Sequence, residues 1–149
     1  AGCLWTSSTP IHLPEEIRFY YGAYPGWNSD LENDSTGIGL AILPRDRFAA
    51  IEPTDAIAQV TLKSIQLRNV KRVTINADAT DGDVRVELLT AEGYRVAGYT
   101  RDQSVIITGN SFRHPVNWKG KTMADLAAGR YQLRLHLKNA RLFALTIQR

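Results

Sequence analysis

Apolar and polar residues alternate strictly in several short runs of this chain, the period-two signature of strands that bury one face only. From Lys71 to Asp78, the residues Val73, Ile75 and Ala77 share one face while Arg72, Thr74 and Asn76 share the other. From Asp83 to Leu88, Val84, Val86 and Leu88 oppose Arg85 and Glu87. The link Ala79-Thr80-Asp81-Gly82 carries an Asp-Gly pair that can supply positive φ, which predicts a hairpin between these strands. The alternation returns at Tyr131, Leu133, Leu135 and Leu137, against Arg130, Gln132, Arg134 and His136. A tight connection at Lys138-Asn139-Ala140 then predicts a second hairpin, its last strand placing Phe143, Leu145 and Ile147 on one side. Between Val60-Leu62 and Ile65-Leu67 the register slips by one at Lys63-Ser64, as a β-bulge would produce. Further strands are predicted over 16–21, 38–43, 47–51, 94–99, 104–108 and 116–118. Only 122–128 has helical character, with Gly129 as its stop.

About ten short strands, with turn signals near the 8–12-residue spacing usual for such folds, predict an all-β chain. The expected architecture is a two-sheet antiparallel β-sandwich of jelly-roll type. The least regular stretch, 22–36, is rich in Gly, Asn, Asp and Ser, so residues 1–36 read as an N-terminal arm and polar loop and 37–149 as the sandwich.

Composition narrows the function classes. Hydrophobic residues at 44% and charged residues at 22% are globular values. No apolar run approaches the ~20 residues of a membrane helix. The net charge of +3 is dispersed along the 149 residues, unlike the basic stripe of a nucleic-acid binder. Neither nucleic acid nor membrane is an expected partner. Cys3 is the one cysteine and has no partner for an intramolecular disulfide; with Ala1 in first place, the chain reads as a piece of something longer.

Candidate chemistry is sparse. His12, His114 and His136 fit no metal signature. The acidic stretch from Asn28 to Asp34 offers the hard oxygen ligands that calcium prefers, but its spacing matches no EF-hand and suits an Asx-rich turn, so no metal and no cofactor are expected. Acid pairs such as Glu15-Glu16 and Asp81-Asp83 sit in ordinary turn-like settings, and no nucleophile elbow, P-loop or dinucleotide fingerprint occurs. The chain is not expected to be an enzyme.

The rings carry more weight. Phe19, Tyr20, Tyr21, Tyr24 and Trp27 fall within nine positions, followed by polar Asx residues. Sugar rings stack their C–H faces on Tyr and Trp while Asp, Asn and Arg bind the hydroxyls, so this stretch suits carbohydrate. Tyr21, Tyr24, Trp27 and Trp118 are the candidate carbohydrate-binding residues; Trp118, followed by Lys119-Gly120-Lys121, reads either as a loop platform or as a plug of the sandwich. Strand packing of Phe19 and Tyr21 and a domain contact by Trp27 are the structural alternatives. A second candidate surface is the outward polar face of Arg72, Asn76, Arg85, Glu87, Gln132, Arg134 and His136, whose bland reading is a set of cross-strand pairs.

The segment Pro14-Glu15-Glu16-Ile17-Arg18-Phe19-Tyr20-Tyr21-Gly22 resembles an outer strand of five-bladed β-propeller glycosidases of the class that includes families 32 and 43. The runs Gly37-Ile38-Gly39-Leu40-Ala41, Arg45-Asp46-Arg47-Phe48, Val73-Thr74-Ile75-Asn76-Ala77, Val84-Arg85-Val86-Glu87, Leu133-Arg134-Leu135-His136-Leu137 and Ala140-Arg141-Leu142-Phe143-Ala144 are similar to the C-terminal β-sandwich that follows such propellers in bacterial proteins. The resemblance implies a concanavalin-like, non-catalytic accessory module of an extracellular polysaccharide-degrading enzyme. The implied partners are a polysaccharide or oligosaccharide and a glycosidase domain. The alternative it leaves open is a purely structural domain packed on that propeller. It supplies no catalytic residue, because the propeller's carboxylates lie in blades absent from this sequence.

Overall fold

The computed structural model describes residues 3–24 and 36–149. Among these, the chain is all β apart from one 3-10 turn at Met123–Asp125. It forms two antiparallel sheets, one in each of two compact units, Ala1–Phe48 and Ala49–Arg149.

In the first unit, β1 (Cys3–Thr6) and β2 (Ile11–His12) lie end to end along one edge of β3 (Glu16–Tyr24). The other edge of β3 pairs with β4 (Gly37–Pro44), from Glu16 opposite Pro44 to Ala23 opposite Gly37. That unbroken ladder moves the unit boundary from the expected position after Thr36 to Phe48, since β4 finds its hydrogen bonds on β3.

The second unit contains β5 (Ile57–Thr61), β6 (Ile65–Leu67), β7 (Arg72–Thr90), β8 (Ile107–Pro115), β9 (Gly129–Lys138) and β10 (Arg141–Gln148). Its organiser is β7. The first half of this strand pairs with β10 and β8, and the second half pairs with β9, whose far edge carries β5 and β6. The buried residues change parity along it, from Val73, Ile75, Ala77 and Ala79 to Val84, Val86 and Leu88. A bend at 80–83 therefore carries β7 from one layer to the other, and both halves face one core with Leu133, Leu135, Leu137 and Leu142. This is a β-sandwich.

Neither expected hairpin forms. The two halves of β7 do not pair with each other, and β9 and β10 pair with opposite halves of β7 rather than together. The reason lies at the corner. Thr80 donates both its backbone N–H and its hydroxyl to Asp78 Oδ1, which turns the chain without an Asp-Gly hairpin turn, and Gly82 stays out of the positive-φ region. Gly82 is instead needed for close approach: a Cβ there would overlap the Lys138 carbonyl oxygen. The adjacent Asn139, at φ 42°, lets β9 cross to β10 in the other layer. A bulge between Leu142 and Ala144 then puts Leu142, rather than Phe143, into the core with Leu145 and Ile147.

The bulge read at Lys63-Ser64 is present: Thr61 lies opposite Arg134 and Ile65 opposite Tyr131, so one strand spends an extra residue. Other elements differ from the sequence reading. The expected strand over 47–51 contributes only a bridge from Ile51 to Leu142, and β8 begins at Ile107, overlapping only the end of the run over 104–108. The helical stretch shrinks to a single turn capped by Asp125, whose Oδ2 accepts from the Thr122 N–H at 2.8 Å, and Gly129 opens β9 opposite Leu67.

Residues 94–99 form no strand because they serve as an edge cover. The N–H of Leu88 donates to Tyr99 O, that of Val96 to Leu88 O, and that of Thr90 to Tyr94 O, at 2.9, 3.0 and 2.7 Å. Val86 completes this edge: its N–H donates to Ser104 Oγ and its carbonyl accepts from Trp118 Nε1. The loop 91–106 thereby satisfies backbone groups that an open edge would leave as a template for association. Among the described residues no helix is long and apolar enough to cross a membrane.

Candidate functional site

Of the four residues expected to bind carbohydrate, Trp118 has no exposed ring face to offer. Trp118 is 2% exposed, donates its indole N–H to Val86 O at 2.8 Å, and packs edge-on against Tyr99 with ring centroids 5.0 Å apart. Its ring fills the sandwich, so the plug reading holds and the loop-platform reading is corrected: a buried indole with a satisfied N–H has no face left for a sugar. Trp27 and the acidic stretch from Asn28 to Asp34 lie outside the described residues. Tyr21 and Tyr24 are both on β3, but three positions apart, so the period of two sends them to opposite faces.

Each tyrosine covers a glycine. Tyr21 sits opposite Gly39 on β4, and a Cβ on Gly39 would collide with the Tyr21 ring. On the other face, a Cβ at Gly22 would meet Tyr24 Cε2 at 3.4 Å, so the Tyr24 ring leans over its own strand. Rings over strand glycines supply the packing that glycine lacks. Tyr21 is half-buried in this role, whereas Tyr24 remains 47% exposed.

The face that carries Tyr24 holds an unexpected row of large apolar groups. Register places Trp5 and Ile38 on either side of Gly22, Leu40 beside Tyr20, and Ile11 and Ile42 on either side of Arg18. All seven of Trp5, Ile11, Tyr20, Tyr24, Ile38, Leu40 and Ile42 are exposed, with Trp5 at 61% and Ile38 at 86%. The polar member, Arg18, is engaged by Glu16, its Nε donating to Oε1 at 2.7 Å. The sequence pattern singles out Tyr20 and Tyr24 but neither Trp5 nor the aliphatic partners. Ile38, Leu40 and Ile42 alternate with Gly39 and Ala41, a pattern that marks a strand with one bulky face, though not whether that face is wet.

The outward polar face divides between the layers. Arg72 and Asn76 belong to the half of β7 that pairs with β10, whereas Arg85, Glu87, Gln132, Arg134 and His136 lie together on β7 and β9. At its centre Glu87 is fully buried although it points away from the core, because cations cover it. Glu87 Oε1 accepts from His136 Nε2 at 3.0 Å and from Arg134 Nη1 at 3.3 Å. Oε2 lies 3.3 Å from Arg95 Nε, an ion-pair contact that falls short of hydrogen-bond geometry. Burial pushes the Glu87 carboxyl up, but the hydrogen bonds from His136 and Arg134 and the positive charges of His136 and Arg95 together outweigh it and hold the group below its ordinary value of 4.5. Arg95, which no sequence pattern tied to Glu87, arrives on the edge-covering loop through its bridge to Leu89.

Two further candidates are structurally occupied. His114 Nε2 donates to Ala77 O at 3.2 Å, and Asp83 pairs with Arg85 at 3.5 Å. Among the described residues no group of three or more His, Cys, Asp or Glu is placed to hold a metal ion. An open cavity of about 340 Å³ at the corner of the sandwich is bordered by Glu52, Asp55, Asp78 and Asp81 with Arg141. No family model matches the chain, and neither the curated proteins nor the solved structures contain a significant match to it.

Proposed function

We propose that this chain is a non-catalytic β accessory module of a polysaccharide-processing enzyme, and that its N-terminal sheet is the layer through which it packs on that enzyme's catalytic β-propeller. The observation that carries the reading is the row of seven exposed apolar side chains on one face of β1 to β4. Contiguous apolar patches of this kind mark surfaces meant to be covered. The occupant is a second β layer because the surface is itself a pleated sheet face, which packs about 10 Å from another sheet with interdigitated side chains. The propeller is the layer suggested by the likeness of the segment from Pro14 to Gly22 to an outer blade strand.

Composition of the face favours packing over glycan recognition. A sugar platform pairs flat rings with convergent hydroxyl-binding groups, whereas here four aliphatic side chains accompany three rings and Arg18 is already engaged. Sedimentation velocity and dye binding by the isolated chain test the reading. At tens of micromolar the chain is expected to self-associate or bind a hydrophobic dye, and the double variant Ile38→Lys, Ile42→Lys is expected to abolish both with an unchanged melting temperature. A monomeric, dye-silent chain would defeat it.

The joint exposure of Trp5, Tyr20 and Tyr24 on that face supports a second reading, direct glycan stacking. Affinity electrophoresis against cellulose, xylan, mannan, β-glucans, fructans and chitin separates the two. Retention that is lost in Trp5→Ala and Tyr24→Ala, with the melting temperature intact, favours stacking.

A further inference from the structure

We infer that a cleft on the charged face of the sandwich binds the carboxylate or sulfate group of an acidic saccharide. The inference rests on the polysaccharide side of the proposed function and goes beyond it by assigning a second site and the charge of its ligand.

The cleft has a volume of about 240 Å³, and its walls include Ile57, Asp83, Arg85, Arg101, His136 and Lys138. Its floor follows from register. Asp83, Lys138 and Ile57 form one cross-strand row over β7, β9 and β5, and Arg85, His136 and Gln59 form the next. Arg101 enters from the edge-covering loop, which is anchored by the bonds to Val86, Leu88 and Thr90 and braced by the Ser104 N–H donating to Thr100 O at 3.0 Å. The cation is thus carried by a fixed segment rather than a free tether.

Charge accounting shows what the cleft lacks. Asp83 answers Arg85 at 3.5 Å, and Glu87 answers His136 at 3.0 Å. Arg101 and Lys138 have no carboxylate within ion-pair distance among the described residues, which leaves two positive groups at one small concavity. A guanidinium and an ammonium lining one small cleft suit a compact oxyanion, the guanidinium with two parallel N–H donors and the ammonium as a point charge. Beside Lys138 in the same cross-strand row the cleft has an apolar wall, Ile57, which is 72% exposed. An inorganic anion would leave that apolar wall unused, whereas a pyranose presents a C–H face to it while its anionic substituent reaches the cations. A volume below the roughly 300–1,000 Å³ of larger ligand pockets fits one sugar unit at a time.

Isothermal calorimetry with the whole chain tests this, using tetragalacturonate, a sulfated tetrasaccharide, an uncharged tetraglucoside and inorganic sulfate. The expected result is binding of at least one charged oligosaccharide, weakened about tenfold or more by Arg101→Ala and by Lys138→Ala and unaffected by Arg72→Ala on the other layer. Which charged oligosaccharide binds separates carboxylate from sulfate ester. Both substituted side chains are exposed, so melting temperatures are expected to stay within a few degrees and lost binding reads as lost contact. Binding of inorganic sulfate as tightly as of the saccharides would overturn the saccharide assignment. Equal binding of charged and uncharged oligosaccharides, or affinity untouched by either variant, would overturn the cleft while leaving the accessory-module reading in place. No binding to any of the four probes would overturn the cleft as well.

Discussion

Replacing Glu87 by Gln tests the charged cluster at its centre. The substitution preserves shape and keeps one acceptor, but it removes the negative charge beneath His136, Arg134 and Arg95. Complete burial of the groups left unpaired would invite the roughly 3–5 kcal/mol lost when one partner of a buried ion pair is removed. That value is an upper bound here, because Arg95 is 70% exposed at its side chain and can return to water. What is lost is chiefly the charge assistance of the bonds from His136 and Arg134, so the expected destabilisation at pH 7 is roughly 1.5–3 kcal/mol. Its pH dependence gives the sharper test. A carboxyl held below its ordinary value contributes stability that is complete above about 4.5 and is lost as the pH falls through the depressed folded value. Urea unfolding of the native chain and the variant from about pH 5 downward is therefore expected to show a gap that narrows on acidification. A gap that persists unchanged at pH 3, or that widens, would refute the account, since it would mean that the charge of Glu87 is not what the cations stabilise.

The corner and the plug offer further tests. Gly82→Ala places a methyl group against the Lys138 carbonyl and must push apart the two layer crossings, so the thermal midpoint is expected to fall by well over 5 °C; a change of less than about 2 °C would count against the close approach. Trp118→Ala removes a buried ring and orphans the Val86 carbonyl, with an expected loss of about 3–5 kcal/mol in chemical denaturation. Trp118→Phe, which keeps most of the apolar volume and deletes the donor, is expected to lose less. If instead Trp118→Ala kept its stability and lost glycan retention, the indole would be a sugar platform after all. Gly39→Val, tested by dye binding and thermal melting, is expected to displace the Tyr21 ring and loosen the β3–β4 pair.

How far the candidate site could be read in advance varied residue by residue. The row of Arg85, Glu87, Arg134 and His136 was visible because each alternates with a core residue on its own strand, and pairing β7 with β9 brings all four together. Arg95 and Arg101 were not visible, because they reach the face from an irregular loop whose path is set by hydrogen bonds to a strand edge. The clustering of Tyr21, Tyr24 and Trp118 as one kind of residue was misleading. Two of them point to opposite sides of one strand, and the third is held inside by a bond to Val86.

Period-two patterning alone determined that the described residues are almost all β, which side of β7 and β9 is apolar, and where one strand carries an extra residue at Lys63-Ser64. These are local properties: a side chain's alternation is settled by the strand that bears it, whereas whether an apolar face is covered is not. Strand partnership is different, because backbone N–H and C=O groups are the same at every residue and any edge can satisfy any other. Only the tertiary structure could decide that the Asp-Gly link is a corner rather than a hairpin, that β9 and β10 diverge to opposite layers, and that Trp118 closes an edge from within. In each case the deciding contact joins residues distant in sequence, such as Gly82 to Lys138 and Val86 to Trp118, and no local pattern encodes it.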